Sequence, residues 1–304
     1  MSALPVGIHD GVPMRDYLLH HGFSASRAHT LLTYSPFHAY HDEGGEPSTA
    51  SEVGTAIHDA LLEGVNRIAV IDPQEYPGKK GGIPDGWTND AIRAARDKAR
   101  GDGKIPLLPS AALSVHQAVS AAKRFVESSE IAGVFERGRP EQTILWKEGE
   151  MLCKARPDWL SIDVNLTTML HVKTTQGSAE PNAWIRNMLT SMGYDVAWAL
   201  YERGLAEHDG IGAKDFRNVF LVIEANPPYG CSLIGLDPAM ADLAHRKVER
   251  AIRTWQQCKA SGKYPAYPSR ICYAAPKPWE LAAEEETELT GAYDELQEKE
   301  GLQA

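Results

Sequence analysis

Two short segments near the middle of the chain bring together an acid and a lysine. Arg156-Pro157-Asp158 is followed by His171-Val172-Lys173. If each segment ends a strand, alternation places His171 and Lys173 on one face and points Val172 into the core. A carboxylate and an ammonium at one sheet edge suit a hard cation that bridges the protein and a scissile phosphate, while the lysine orients the attacking water. The spacing therefore predicts metal-assisted phosphodiester hydrolysis.

The surrounding sequence predicts the elements that would position these groups. Period-two alternation over 141–163 predicts two antiparallel strands around a Glu-Gly turn, and 169–175 and 216–229 each contain a further strand. Apolar spacing and end signals predict helices over 24–43 (with a stop near Pro36), 51–64, 110–128, 181–205 and 237–263. This order predicts an α/β fold with a central mixed β-sheet flanked by helices.

Composition excludes several classes of protein. The chain has 304 residues, of which 43% are hydrophobic and 24% are charged, the balance of an ordinary globular protein. No apolar run approaches the roughly 18 residues of a membrane span, and the first residues lack a signal-peptide layout, so we expect a cytoplasmic protein without a membrane partner. The four cysteines are too scattered for a zinc site or a disulfide framework.

The charge distribution is uneven along the chain. Of the net charge of −10, the segment 280–300 carries nine acids and one base, which leaves the rest of the chain close to neutral. A nucleic-acid partner is therefore not excluded by charge. We predict one domain over 1–279, with an exposed Gly/Lys-rich insertion at about 76–108, and an acidic tail over 280–304.

The ordered motifs resemble a known enzyme family. They are a helix with SASRAHTLLTYSPFHAY, a helix GTAIHDALLEG with His58, an acid at Glu141, KARPDWLSID with Asp158, HVKTT with Lys173, and a helix GYDVAWALY with Tyr201. Together they are similar to the PD-(D/E)xK nuclease superfamily, and within it to RecB-like exonucleases of the phage and prophage exonuclease VIII (RecE) type. The resemblance implies a restriction-endonuclease-like fold.

The resemblance also implies an activity and partners. Members of this type degrade linear double-stranded DNA from 5′ to 3′, release 5′-mononucleotides and leave 3′ single strands for recombination. The expected partners are double-stranded DNA ends, a single-strand annealing protein and other copies of the chain in a homo-oligomeric ring. The host would be a bacterium carrying the phage or prophage.

The resemblance assigns roles to individual residues. The catalytic residues would be Lys173, Asp158 and Glu141, and the metal would be held by His58, Asp158, His171 and the Val172 carbonyl. Contacts to DNA would come from a set of basic and polar side chains, Lys79, Lys80, Lys154, Arg156, Thr174 and Tyr201. Phosphate contacts from a mobile basic loop would supply affinity without base recognition.

Two positions depart from the family pattern. His171 stands where the family has an acid, and Ala197 stands where it usually has a glutamine. We expect Mg²⁺ as the cofactor, but imidazole suits Mn²⁺ better, so His171 favours Mn²⁺. The alternative function is a nuclease-fold protein that binds DNA with impaired or lost catalysis. A sequence-specific endonuclease is disfavoured because no separate recognition domain is evident.

Overall fold

The computed structural model describes residues 4–42, 49–78, 81–162, 166–208 and 216–290. The chain divides into two compact units, Met1–Pro265 and Ala266–Ala304. The first unit therefore ends before the predicted domain boundary at residue 279. In the second unit, a helix over Pro278–Thr290 has no buried side chain. The rest of the predicted acidic tail, 291–304, lies outside the described residues.

The strands of the described residues form a five-stranded mixed sheet and two smaller sheets. They are β1 (Gly7–His9), β2 (Ile68–Val70), β3 (Ile105–Leu107), β4 (Arg139–Pro140), β5 (Thr143–Glu148), β6 (Met151–Ala155), β7 (Trp159–Ser161), β8 (Thr167–Thr175), β9 (Phe216–Glu224) and β10 (Cys231–Ile234). The main sheet has the order β10-β9-β8-β7-β4, with β8 and β9 parallel and the other neighbours antiparallel. The predicted mixed sheet is confirmed.

The predicted hairpin around the Glu-Gly turn is β5 and β6, which pair antiparallel from Ile144–Ala155 to Glu148–Met151. Gly149 at the turn has a φ of 60°, the left-handed conformation that glycine adopts without a steric penalty. On its other edge β5 pairs with β1. The remaining small sheet is the parallel pair of β2 and β3.

Helices pack on both faces of the main sheet. The first unit contains α1 (Met14–Leu19), α2 (Ala25–Thr33), α3 (Pro36–His41), α4 (Thr49–His58), α5 (Asp90–Gly101), α6 (Pro109–Glu127), α7 (Pro181–Trp184), α8 (Tyr194–Ala206) and α9 (Pro238–Ser261), and the second unit contains α10 (Pro278–Thr290). Single π-helical segments continue α4 over Asp59–Glu63 and α7 over Ile185–Leu189. Pro36 begins a helix instead of ending one, because Ser35 caps α3 and proline fits its first turn.

The core divides at the central strand β8, where successive side chains face opposite layers. Met169 packs in a cluster with buried residues of α2, α8 and α9. Leu170 and Val172 pack in a second cluster with buried residues of α4 and α6. The main sheet therefore lies between two layers of helices. Strand β8 ends at Thr175, at the edge of the sheet formed by the strand ends.

A glycine lets α4 approach this edge closely. A Cβ atom at Gly54 would lie 2.8 Å from Oγ1 of Thr174 on β8. Any larger side chain at position 54 would push the helix away from the strand. The close contact brings the end of α4, at His58, to the end of β8.

The predicted exposed insertion at about 76–108 is only partly exposed. Ile92 on α5 is fully buried and packs with Ile71 and Ala99 in a small cluster. Ile105 and Leu107 on β3 are buried in the second core cluster. The insertion is therefore anchored by apolar contacts, and the prediction that it is exposed was wrong for Ile92, Ala99 and residues 105–107.

None of the helices in the described part of the chain has the length and apolar character required to cross a membrane.

Packing at one helix contact yields a test of the fold. Gly204 on α8 faces Trp146, and a Cβ atom there would lie 2.6–2.9 Å from three carbons of that fully buried ring. We expect Gly204→Ala to lower the free energy of unfolding by roughly 2 kcal/mol, because the ring has no space to move. Gly101→Ala is the control, since nothing lies within 4 Å of its Cβ position, and it should be neutral or stabilising. Equal stability of the two variants in urea denaturation would contradict this packing.

Candidate active site

A groove of about 1270 Å³ runs along the edge where β8 ends. One wall is formed by residues 10–14, which follow β1. The end of α4, the segment around Glu141 and the end of β8 form the rest, and Asp158 and Lys173 both line it. The two groups whose spacing suggested chemistry therefore share one concave surface, the usual setting of an active site.

Asp158 sits in the link between β6 and β7 and is fixed by β8. Its Oδ2 accepts a hydrogen bond of 2.6 Å from the Val172 backbone N–H and lies 3.3 Å from Nζ of Lys173. Burial opposes ionisation of Asp158, but the Lys173 ammonium and the bond from His58 outweigh it and hold the pKa of the carboxyl well below its usual range. The group is therefore a carboxylate at neutral pH.

Glu141 is held beside Asp158 by an unusual backbone turn. Its φ is 56°, and its N–H donates to the Asp158 carbonyl at 3.1 Å. The Arg156 guanidinium forms a salt bridge with one carboxylate oxygen of Glu141. The same guanidinium donates to the Val12 carbonyl at 2.7 Å, so Arg156 ties Glu141 to the groove wall.

His58 at the end of α4 completes a group of three donors. Its Nε2 lies 3.1 Å from Oε1 of Glu141 and 3.5 Å from Oδ1 of Asp158. Burial disfavours the imidazolium, but the hydrogen bonds to Asp158 and Glu141 raise the pKa of His58 to about 10. Without a metal, His58 thus carries the proton that balances two neighbouring carboxylates.

These three side chains fit a divalent metal. One atom from each of His58, Glu141 and Asp158 lies within 4.8 Å of the others. An imidazole and two carboxylates are a donor set found in divalent metal sites. A second group, His58, Asp59 and Glu63, also meets this distance. The first group is the better candidate because its Asp158 lies 3.3 Å from Lys173, the other residue whose spacing suggested chemistry.

His171 does not join this group, which corrects its prediction as a metal ligand. Its side chain is only 3% exposed, and Nε2 lies 2.9 Å from Oδ1 of Asn218. Because Asn218 Nδ2 donates to the Trp198 carbonyl, Oδ1 is the acceptor and His171 Nε2 carries the proton. Burial lowers the pKa of His171 to about 4, so the ring is neutral at pH 7.

The His171 ring belongs to an aromatic layer beneath the groove. We use this name for five rings, His171, Trp184, Tyr194, Tyr201 and Phe220. The His171 centroid lies 5.2 Å from that of Phe220 and 5.4 Å from that of Tyr201. Burial raises the pKa of Tyr201 well above its usual value. Tyr201 packs against the core but remains partly exposed, and its predicted contact with DNA stays a prediction. Ala197 packs against the same cluster.

The predicted DNA contacts have several outcomes. Lys154 is 6% exposed, and its Nζ donates to the carbonyls of Tyr17, Leu18 and His20, so a contact with DNA is excluded in this geometry. Burial lowers the pKa of Lys154 to about 8. Arg156 lies in the groove but is engaged with Glu141 and the Val12 carbonyl, which makes it a support for the site.

Of the remaining predicted contacts, Thr174 lines the groove, and Lys79 and Lys80 lie outside the described residues. The Val172 carbonyl stays a predicted ligand. The Val172 backbone contributes to the site through its N–H, which donates a hydrogen bond to Oδ2 of Asp158.

The sequence analysis missed several groove residues, among them two arginines and a tyrosine. Arg67 and Arg139 line the groove with side chains that are 48% and 68% exposed, and each also pairs with an acid, Asp59 and Asp10 respectively. Tyr194 lines the groove with its ring near Lys173. Tyr194 lies in the motif GYDVAWALY, and Arg139 is two residues before Glu141, so both could have been found by looking beside the motif residues.

Metal binding can be tested without any substrate. We expect Mn²⁺ or Mg²⁺ to raise the melting temperature, because an ion that binds only the folded state stabilises it, and EDTA should reverse the shift. Glu141→Gln and Asp158→Asn should each reduce the shift. Glu63→Gln is the matched control from the second donor group and should keep it. A shift that survives in Asp158→Asn but is lost in Glu63→Gln would place the metal at the second group.

The buried neutral histidine gives the unfolding free energy a distinct pH dependence. The pKa of His171 is about 4 in the folded chain and about 6.5 when unfolded. Between these values the unfolded chain binds a proton that the folded chain does not, so the free energy of unfolding is highest above pH 6.5 and falls as pH decreases towards 4. Between pH 7 and pH 5 we expect wild type to lose about 2 kcal/mol more than His171→Gln, measured by urea denaturation in EDTA. Parallel profiles would mean that His171 is not held neutral.

Comparison with known proteins identifies the family. Residues 23–275 match the family described as "PDDEXK-like domain of unknown function (DUF3799)". A crystal structure described as that of a "Putative exonuclease" from Eubacterium rectale aligns with a TM-score of 0.54 at 12% identity, over 90% of this chain and 99% of that one. The structure of SSO0001 aligns with a TM-score of only 0.27 at 13% identity, over 68% of this chain and 86% of that one, and supports no conclusion. The search of curated proteins gave no match. The family match covers most of the sequence, and the chain belongs to the PDDEXK-like family, with the α/β fold of the PD-(D/E)xK nuclease superfamily.

Proposed function

We propose that the protein is a metal-dependent exonuclease that degrades linear double-stranded DNA from 5′ to 3′. The observation that carries the proposal is the donor group of His58, Glu141 and Asp158, with Lys173 Nζ 3.3 Å from Asp158, on the wall of one groove. In a PDDEXK-like chain, this arrangement supports hydrolysis of a phosphodiester.

The chain's own residues have distinct roles in this proposal. His58, Glu141 and Asp158 would hold the divalent ion, which when bound supplies Lewis-acid stabilisation of charge at the scissile phosphate. Lys173 orients the attacking water and stabilises the developing negative charge. The Val172 N–H fixes the Asp158 carboxylate, and Arg156 fixes Glu141. Thr174, Arg67 and Arg139 line the groove where a phosphate backbone would lie.

The choice of an exonuclease rests on two likenesses. The aligned Eubacterium rectale protein is described as a "Putative exonuclease", and the motifs resemble the RecE type. We extend the proposal to 5′-mononucleotide products, 3′ single strands for recombination, an annealing protein as partner and a homo-oligomeric ring in a bacterial cytoplasm. Mg²⁺ is the proposed ion, with Mn²⁺ as the alternative.

A DNA-binding protein without turnover is the second candidate. It is favoured by His171 and Ala197, which replace an acid and a glutamine of the family pattern. Against it, Glu141 supplies a second carboxylate to the donor group although position 171 does not. The site therefore retains the anionic charge that a hard cation needs.

Digestion of DNA ends tests the proposal. An end-labelled linear duplex and a closed circular plasmid are incubated with the protein in Mg²⁺ and in Mn²⁺. We expect mononucleotide release from the linear duplex, an intact circle, and a loss of about 10²-fold or more in Asp158→Asn and Lys173→Ala, because each removes a group that acts on the reacting phosphate. Lys123→Ala, an exposed lysine on α6, is the matched control and should remain active.

Each outcome separates the candidates. Cleavage of the circle would exclude an exonuclease, and activity of Lys173→Ala equal to wild type would exclude the proposed site. DNA binding without cleavage by wild type in either metal would favour the second candidate. Label released first from the 3′ end would overturn the proposed polarity.

A further inference from the structure

One ring of the aromatic layer reaches the groove beside the lysine of the site. The Tyr194 ring lies with its centroid 5.4 Å from Nζ of Lys173, and both residues line the groove. A lysine ammonium within about 6 Å of an aromatic centroid is attracted by the electron density of the ring. Tyr194 is therefore close enough to act on the position of Lys173.

The backbone before Tyr194 is fixed by a close contact. Gly193 has a φ of 68° and is the N-cap of α8. A Cβ atom at Gly193 would lie 2.4 Å from the His29 ring on α2. Only glycine fits both the conformation and the space, and this contact determines where α8 begins.

The Tyr194 ring itself is held by stacking. It lies parallel to the Trp184 ring within 7°, with centroids 5.5 Å apart, and Trp184 is only 2% exposed. Phe220 contacts both rings, at 6.1 Å from Tyr194 and 5.5 Å from Trp184. Because its support is buried, the Tyr194 ring is a rigid surface at the groove.

Within the part of the chain that the structure describes, few groups hold the Lys173 ammonium in place, which is why the position of the Tyr194 ring matters. In the described residues, the ammonium contacts the Asp158 carboxylate at 3.3 Å and the Tyr194 ring. Position 171, on the same strand and two residues away, carries a histidine whose Nε2 lies 2.9 Å from Oδ1 of Asn218, and an imidazole brings no negative charge near the lysine. A lysine side chain has four rotatable bonds, so one ion pair leaves Nζ free to move around the carboxylate.

We propose that Tyr194 is a positioning residue, whose ring confines the Lys173 ammonium beside Asp158 in place of the missing acid at position 171. The proposal rests on the proposed function, because it assigns to Lys173 the role given there. Tyr194 acts through Lys173 and forms no part of the donor group. Its aromatic face matters, and its hydroxyl does not.

The test compares Tyr194→Leu, which removes the ring, with Tyr194→Phe, which keeps it. On linear duplex DNA we expect Tyr194→Leu to lower kcat by roughly 2- to 30-fold with little change in KM, and Tyr194→Phe to stay within about threefold of wild type. Lys173→Ala is measured in the same assay. Tyr40→Leu, an exposed tyrosine on α3, is the control for loss of a ring elsewhere.

A second readout needs neither metal nor substrate. In lysine-labelled protein in EDTA, the Lys173 Cε protons, assigned from Lys173→Arg, should be shifted upfield by the ring current of Tyr194. The shift should persist in Tyr194→Phe and vanish in Tyr194→Leu. An unshifted Lys173 signal in wild type would overturn the proposed contact, whatever the enzyme assay shows.

The outcomes distinguish this inference from the proposed function. If Lys173→Ala is inactive but Tyr194→Leu has the kcat of wild type, the inference is wrong and the proposed function stands. Equal losses of kcat in Tyr194→Phe and Tyr194→Leu would assign the effect to the hydroxyl and overturn the role of the ring. If Lys173→Ala cleaves like wild type, the proposed function fails and the inference fails with it.

Discussion

The Asp158 carboxylate joins the separate elements of the site into one arrangement. It follows β6, accepts a bond from the backbone of β8, faces the lysine of β8 and contacts the histidine at the end of α4. A partly buried carboxylate is costly unless its oxygens are satisfied, and here an N–H, an ammonium and an imidazole satisfy them. Because two of these partners lie side by side on β8 and the third lies on α4, the stability of one anion depends on the packing of α4 against the sheet, which the close contact between Gly54 and Thr174 allows.

The two carboxylates of the site are neutralised without a metal, and one of the neutralising charges is the proton that a metal must displace. Glu141 and Asp158 face three positive groups, Arg156, Lys173 and a protonated His58, so the metal-free cluster carries one excess positive charge. A cation that binds the imidazole competes with the proton for the same lone pair, so binding releases a proton. Arg156 and Lys173 are not members of the donor group, and each contacts one of its carboxylates from outside. Metal binding therefore does not require either side chain to move. The metal-free site is thus already arranged for an ion of positive charge.

Spacing and alternation predicted the parts of the site that local geometry decides. Strand β8, the hairpin of β5 and β6, and the shared edge of Asp158 and Lys173 all follow from period-two patterns. Alternation also predicted that His171 and Lys173 share a face, but it could not tell that His171 is drawn into the core by Asn218, a residue of the neighbouring strand. Lys154 was predicted to contact DNA, whereas its Nζ donates to three backbone carbonyls of the segment before α2 and is buried. Those partners are remote in sequence, and a pattern along one strand holds no information about them.

Replacement of an acid by a histidine in a metal signature would remove one anion if every other residue kept its place. Here Glu141, which is itself one of the family motif residues, reaches the donor group through a left-handed turn, so that group still holds two carboxylates, Glu141 and Asp158, among the described residues. The imidazole at position 171 then serves packing, because a neutral ring can lie between Phe220 and Tyr201 where a carboxylate would need a counter-charge. Position 171 therefore links the groove to the aromatic layer beneath it. His171 packs in that layer, and Lys173 has one charged neighbour fewer than it would have beside an acid at that position.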